Sequence, residues 1–265
     1  MRCNWRSVVP ALLAGVTLAC SGSSSTPTAP AISTPAAQPP PTTAGSPASL
    51  TNPDVRIFSL PGAETSGGGQ GPCVFDSSSG QFVCPSQSRE GITLTMRFTL
   101  YDKDGNVLSV LDREKVASIR TETSASGTTS REGASVTIDR SGVMVTTGLG
   151  PQATTHTLNG TERGTVTASA TINGVATTTT TSMLESTNNL VVPARRSSGD
   201  PGYPLSGERV RTATTTTTHG STSRTLTTER RETFNGTSVV QVQITVNGVT
   251  QHCTYDLAAR TSTCR

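Results

Sequence analysis

Several runs of the chain alternate between apolar and polar residues with a period of two. The run at 92–101, ITLTMRFTLY, places Ile, Leu, Met, Phe and Leu on one side and mainly threonine on the other. The runs TVTASATI at 165–172 and VVQVQITV at 239–246 repeat this pattern. Because successive side chains of a β-strand point to opposite faces of a sheet, each run predicts an antiparallel strand with one buried face.

Short turn signals separate these runs. The segments DKDGN, DRSG, LNGT, INGV, THGS, FNGT and VNGV recur between them. Asn-Gly is a strong hairpin signal because both residues accept a positive φ. We therefore predict a turn at each segment. The order NGT, strand, NGV, strand begins at Asn159 and again at Asn235, which indicates a weak internal repeat of a hairpin unit.

Together the runs and turns predict an all-β fold. We expect one antiparallel meander of about ten to twelve strands, with a curled barrel and a two-sheet sandwich as the alternatives. The pattern leaves room for at most a short helical turn near DREKVAS, at 112–118.

Two threonine runs, at 177–181 and 214–218, have no clear apolar face. Threonine favours strands because its branched Cβ suits a pleated surface. A strand without a buried face specifies its register weakly, so we predict that these runs form edge or outer parts of a long two-stranded ribbon. We interpret them as solvated strand surface. The alternative, a flat array facing ice or a repetitive glycan, requires threonines at regular spacing on many stacked strands.

Four cysteines of the expected domain form two segments of identical spacing, CVFDSSSGQFVC and CTYDLAARTSTC. Each has ten residues between its cysteines, and an aromatic residue and Asp follow the first cysteine at the second and third positions. An even number of cysteines at such spacing is typical of disulfides in an oxidising compartment. We predict the pairs Cys73 with Cys84 and Cys253 with Cys264, each closing a hairpin near one end of the domain.

The predicted hairpins have a defined register. Pairing the cysteines sets Phe75 opposite Phe82 and Tyr255 opposite Ser262. It also leaves a four-residue loop in each, where Asp begins a type I turn. Pairings between the two segments would constrain the unfolded chain more strongly, but they lose this local geometry.

The start of the chain resembles a bacterial lipoprotein signal. Arg2 and Arg6 precede an uncharged run at 7–18 that is too short to span a bilayer as a helix, and the run leads into VTLAC. Ala19 and Cys20 fit the last two places of the lipobox, whereas the family prefers Leu three places before the cysteine and this chain has Thr17. The resemblance implies a signal peptide at 1–19 and lipidation of Cys20. Ordinary secretion with cleavage near Ala19 is the alternative.

The segment after Cys20 predicts a tether. Residues 21–53 are rich in Pro, Ser, Thr and Ala and carry no charge. Such a segment cannot bury enough apolar surface to offset its ordering entropy, so we expect it to be disordered. The expected organisation is therefore the signal peptide, a lipidated tether at 20–53 and a single all-β domain at 54–265.

Charge and motifs exclude several classes of function. The formal charge falls from +3 to +1 when Arg2 and Arg6 leave with the signal peptide, which gives no basis for a nucleic-acid partner. The chain has none of the common nucleophile, zinc-protease or phosphate-loop motifs. We interpret His156, His219 and His252 as surface residues and DKDGN as a turn rather than a calcium loop. We assign no catalytic residue, no metal site and no cofactor.

These observations favour an exported protein of the cell envelope, held by its lipid anchor and most simply placed at the outer membrane. We expect a non-catalytic binding or structural role, with an envelope protein or a glycan as the partner. One alternative is a carrier in which the curled sheet encloses a hydrophobic ligand. Another is an enzyme whose carboxylates meet only in the fold.

Overall fold

The computed structural model describes residues 73–194 and 202–265. The predicted signal peptide, Cys20, the tether, the start of the predicted domain at 54–72 and residues 195–201 lie outside these ranges. Fourteen strands lie within the described ranges: β1 (Val74–Asp76), β2 (Gln81–Val83), β3 (Gln87–Arg89), β4 (Ile92–Tyr101), β5 (Val107–Leu108), β6 (Ser118–Arg131), β7 (Ala134–Thr147), β8 (Thr155–Ile172), β9 (Val175–Pro193), β10 (Ser206–His219), β11 (Thr222–Phe234), β12 (Val239–Val246), β13 (Val249–Asp256) and β14 (Thr261–Cys264).

The strands form one antiparallel meander, as predicted. Twelve follow one another across the sheet in chain order, and the short strands β3 and β5 both pair with β4. The outermost strands of this path, β1 and β14, do not pair with each other, so the sheet is open rather than closed into a barrel. Within the described ranges there is no helix; Val116 N–H donates to the Asp112 carbonyl at 3.0 Å in a single turn.

The alternating runs lie in strands. Those at 92–101 and 239–246 coincide with β4 and β12, and the run at 165–172 is the last part of β8. The strands from β6 to β11 have 13 to 19 residues each. Strands in globular proteins usually have about five or six, so these six run far beyond the length that a small core requires.

Two of the Asn-Gly segments form two-residue hairpin turns, as predicted. Asn173 and Gly174 have φ values of 50° and 78°, and Asn247 and Gly248 have 47° and 86°. The flanking residues pair directly across each turn. Such turns match the twist of the strands that they join. The THGS, FNGT and DKDGN segments also connect consecutive strands.

The predictions for DRSG and LNGT are wrong, because both segments lie inside strands. DRSG continues the alternation of β7, and LNGT lies in β8 opposite a bulge in β9. Asn159 Oδ1 accepts the Asn189 backbone N–H at 2.7 Å. A Cβ at Gly160 would lie 2.4 Å from the Val143 carbonyl oxygen, so this glycine serves close strand approach instead of a turn. The proposed repeat starting at Asn159 therefore does not form.

Two further tight turns are formed by Glu-Gly rather than Asn-Gly. Glu90 and Gly91 connect β3 to β4, and Glu132 and Gly133 connect β6 to β7. All four residues have positive φ, between 51° and 83°. Each segment reads Arg-Glu-Gly, in which glutamate takes the left-handed position that asparagine normally occupies.

The buried residues form two hydrophobic clusters. The first joins β2, β4 and β6 with the adjacent loops and contains Phe82, Cys84, Phe98, Leu100, Val116, Ile119 and Leu149. The second joins β8, β9 and β11 to β13 and contains Leu158, Leu190, Phe234, Val240, Val242, Cys253 and Tyr255. Pairing registers from β2 to β13 place the strand residues of both clusters on one face of the sheet. The sheet therefore has one core-bearing face and one opposite face.

The threonine runs lie in the middle of the sheet, so the prediction that they form edge or outer parts of a two-stranded ribbon is wrong. β9 and β10 carry the two runs and pair with each other, while β8 and β11 flank them. Neither run contains a buried residue. Residues far apart in sequence supply the flanking strands, and the composition of a run gives no information about them.

Candidate functional site: the hydroxyl rows

The face opposite the clusters carries two rows of hydroxyl side chains across six adjacent strands. Directly paired residues share a face of a sheet, so the registers from β6 to β11 define each row. Row one is Ser130, Ser135, Ser169, Thr178, Thr218 and Ser223, and row two is Thr128, Thr137, Thr167, Thr180, Thr216 and Thr225. We call this surface, formed by both rows, the hydroxyl face.

Tight turns hold these rows in register. The two-residue turns pair Arg131 with Ala134 and Ile172 with Val175, and Gly220 and Ser221 connect His219 with Thr222. Each turn lies within a few residues of the rows. Because a turn fixes the pairing of the strands that it joins, threonines without a buried face still align across the sheet.

Neighbouring hydroxyls of row two form hydrogen-bonded pairs. The Oγ1 atoms of Thr128 and Thr137 are 2.9 Å apart, and those of Thr216 and Thr225 are 3.0 Å apart. The Thr167 and Thr180 hydroxyls are 3.3 Å apart. Row one adds Ser169 with Thr178 at 3.2 Å. These pairs join β6 to β7, β8 to β9 and β10 to β11.

On the core-bearing face, β9 and β10 carry hydroxyl pairs of their own. Thr179 and Thr217 are 3.2 Å apart, and Thr181 and Thr215 are 3.0 Å apart. Side chains approach more closely at alternate pairs of an antiparallel ladder. The hydroxyls of β9 therefore contact β8 on the hydroxyl face and β10 on the other face.

The hydroxyl face is neutral and open to solvent. Its twelve positions are all Ser or Thr, and Thr128, Thr137 and Thr225 are exposed while the central threonines of row two are half-buried. The next row on this face, beyond row two, contains Asp139 on β7, which pairs with Ser126 on β6 and Thr165 on β8. This surface can exchange hydrogen bonds with a ligand but cannot form an ion pair within its two rows.

A charged band crosses the core-bearing face beside the second cluster. Arg230 Nε lies 2.7 Å from Glu232 Oε1, and Arg209 Nε lies 3.4 Å from Glu185 Oε1. The Glu232 side chain is only 6% exposed, and its Oε2 has no hydrogen-bond partner among the described residues. Desolvation raises the pKa of Glu232, although Arg230 and Arg209 oppose that shift. The band joins β9, β10 and β11 through charges that neutralise one another.

The four described cysteines form the predicted disulfides. The Cα atoms are 4.0 Å apart both for Cys73 with Cys84 and for Cys253 with Cys264. Phe75 pairs with Phe82, and Tyr255 pairs with Ser262. Both hairpin registers are therefore confirmed.

Aspartate closes the loop of each disulfide hairpin. Asp76 Oδ1 accepts the Ser78 backbone N–H at 3.0 Å, and Asp256 Oδ1 accepts that of Ala258 at 2.8 Å. The carbonyl of each aspartate also accepts the N–H four residues later. Hydrogen bonds from Ser78 and Ser79 lower the pKa of Asp76. The two segments therefore share one loop structure as well as one spacing.

The remaining sequence candidates have separate local roles. His156 Nδ1 lies 2.8 Å from the Gly148 carbonyl oxygen, and His219 Nδ1 lies 2.7 Å from Thr177 Oγ1. His252 is exposed on β13.

In the DKDGN turn, Asp102 accepts the backbone N–H groups of Asp104 and Asn106. No group of three metal-ligating side chains occurs in the ranges that the structure describes.

Among the described residues, no helix has the length and apolar character needed to cross a membrane. Comparison with protein-family models, with curated proteins and with solved structures finds no match to this chain.

The hydroxyl rows were not assigned as a site from the sequence. The signal was present in the threonine runs, but the alignment of six strands depends on cross-strand pairing that no single run specifies.

Proposed function

We propose that this protein is an exported, lipid-anchored protein of the cell envelope with a non-catalytic binding or structural role. The observation that carries the proposal is the pair of disulfide-closed hairpins. Disulfides persist in oxidising compartments and are rare in the cytosol. The resemblance of the segment ending in Cys20 to a lipobox supports the anchor.

The hydroxyl face supports the binding part of the proposal. It presents an extended, uncharged contact surface on strands far longer than the two clusters need. A rigid sheet positions contact groups more accurately than a loop does. The role we propose is therefore contact with another component of the envelope, with the lipid anchor holding the protein at the outer membrane.

Replacing the anchor residue tests the proposal. Cys20→Ser is expected to move the protein from the membrane fraction to the soluble fraction and to abolish incorporation of labelled palmitate, because a lipid chain holds it there. Cys3→Ser is the matched control, since that cysteine leaves with the signal peptide, and it should leave both readouts unchanged. A Cys20→Ser protein that still sediments with membranes after a salt wash contradicts the anchor.

A further inference from the structure

We propose that the hydroxyl face binds a neutral, hydroxyl-rich polysaccharide, which contacts rows one and two across the six strands from β6 to β11. This inference rests on the proposed binding role, and it names the chemical class of the ligand. It does not depend on how the protein is anchored.

The first argument is the hydrogen-bonding capacity of the rows. A hydroxyl has one donor and two acceptor lone pairs. In each hydrogen-bonded pair one hydroxyl donates to the other, so one O–H and three lone pairs remain for solvent or a ligand. Thr128 with Thr137, Thr167 with Thr180 and Thr216 with Thr225 form three such pairs in row two. A ligand that matches this surface must both donate and accept, as sugar hydroxyls do.

The second argument is charge. Recognition of phosphate, sulfate or carboxylate groups on a polymer uses Arg and Lys. Neither residue type, nor Asp or Glu, occurs at the twelve positions of the two rows. The rows beyond them on this face carry one charge of each sign on β7 and β8, Asp139 and Arg163, so neither an anionic nor a cationic polymer is favoured there. The complementary ligand is therefore a neutral one.

The third argument is the number of equivalent contacts. The two rows contain no aromatic ring on which a single sugar could stack. Each hydrogen bond to a ligand contributes only about 0.5–1.5 kcal/mol net. Useful affinity then requires many contacts at once, which a polymer supplies and a monosaccharide does not.

The fourth argument is shape, which favours a polymer over ice. Neighbouring strands are about 4.8 Å apart, and residues on one face repeat about every 6.8 Å along a strand. Adjacent strands rotate by about 20–25°, so across six strands the rows turn through an angle on the order of 100°. A flexible chain can follow such a surface, whereas a planar crystal cannot contact all of it.

The experiment measures retardation of the purified full-length mature protein in native gels containing dextran, laminarin or hydroxyethyl cellulose. The test variant carries Thr167→Val, Thr180→Val, Thr216→Val and Thr225→Val. Valine keeps the branched shape but removes the hydroxyl. We expect retardation of the unmodified protein by at least one of these neutral glucans, and a loss of apparent affinity of about tenfold or more in the variant.

The matched control removes the same number of hydroxyl pairs from the opposite face. It carries Thr179→Val, Thr181→Val, Thr215→Val and Thr217→Val, on two of the same strands, and it should be retarded as strongly as the unmodified protein. Circular dichroism and thermal unfolding verify that both variants fold. If both folded variants bind equally, or if both lose binding, the hydroxyl face is not the binding surface.

Two further outcomes overturn the inference. One is the absence of retardation of the unmodified protein by all three glucans, and the other is ice shaping by a protein that no glucan retards. Membrane fractionation of the Cys20→Ser variant remains a separate readout. A protein that is lipidated and membrane-bound but not retarded removes the glycan ligand and leaves the proposed anchor intact.

Discussion

The long central strands have two ends of different character. At the cluster end, which contains both hydrophobic clusters, Leu158 and Leu190 pair across β8 and β9 and are 3% and 1% exposed. At the hydroxyl end, which contains rows one and two, Thr167 and Thr180 pair across the same two strands, and neither is buried. The backbone ladder continues through both ends, while the side-chain contacts change from apolar packing to hydroxyl pairs.

This difference separates two contributions to one sheet. Burial of an apolar side chain contributes about 1.5–3 kcal/mol. A cross-strand Thr pair contributes about 0.2–1 kcal/mol. The cluster end therefore supplies most of the stability, and the turns at the hydroxyl end fix the register. Hydroxyl side chains can occupy the hydroxyl end because neither hydrophobic cluster includes a residue of rows one and two.

The largest expected effect is the loss of a cluster side chain. Leu190→Ala should lower the free energy of unfolding by about 2–5 kcal/mol, because it leaves a cavity at a fully buried site. Leu184→Ala, on the same strand but 52% exposed, should change it by less than about 0.5 kcal/mol. Chemical denaturation measures both. Equal effects would show that the two clusters do not carry the stability.

The next effect is that of the disulfides. Replacing Cys253 and Cys264 together by Ser should lower the free energy of unfolding by about 3 kcal/mol, because the unfolded chain regains the freedom of a short closed loop. Replacing Cys73 and Cys84 together by Ser should lower the free energy of unfolding by a similar amount, because this disulfide closes a loop of the same length beside the first cluster. Peptide mapping under non-reducing conditions checks the pairing, and a peptide that joins the two hairpins would contradict it.

A smaller, pH-dependent effect is expected at Glu232. Burial raises its pKa above the ordinary value of 4.5, so the folded state retains this proton at a pH where the unfolded chain releases it. Linkage then requires that the contribution of Glu232 to stability increases as the pH falls through the range between its folded and unfolded pKa values, and decreases as the pH rises through that range. The unfolding free energy of the unmodified protein minus that of Glu232→Gln should therefore become larger as the pH falls and smaller as the pH rises. A difference that is constant, or that grows with pH, would show that the ion pair with Arg230 dominates.

The smallest effect is expected at the hydroxyl end. Thr216→Val with Thr225→Val should change the free energy of unfolding by less than about 1 kcal/mol, because the hydroxyl pair is open to water and valine suits a strand equally well. Thr181→Val with Thr215→Val is the matched pair on the opposite face. A loss comparable to that of Leu190→Ala would remove the distinction between the two ends.

Local sequence patterns predicted the structure correctly wherever the contacts that form it lie close in sequence. Alternation located β4 and β12, and cysteine spacing gave both disulfides with the Phe75 and Phe82 pairing. The Asn173 and Asn247 turns followed from two residues each. These elements are determined by neighbouring residues, whose preferences are visible in any short stretch of the chain.

Non-local contacts decided the rest. Asn159 and Gly160 have the same letters as the true turns, yet β7 and β9 pair along both edges of β8 and hold this segment extended. The composition of the threonine runs likewise does not indicate that they lie in the middle of the sheet. The sequence by itself determined that the chain forms long, turn-connected antiparallel strands closed by two local disulfides. Only the tertiary structure decided that four further strands align their hydroxyls with those of β9 and β10, because register across a sheet depends on pairing between segments that are distant in sequence.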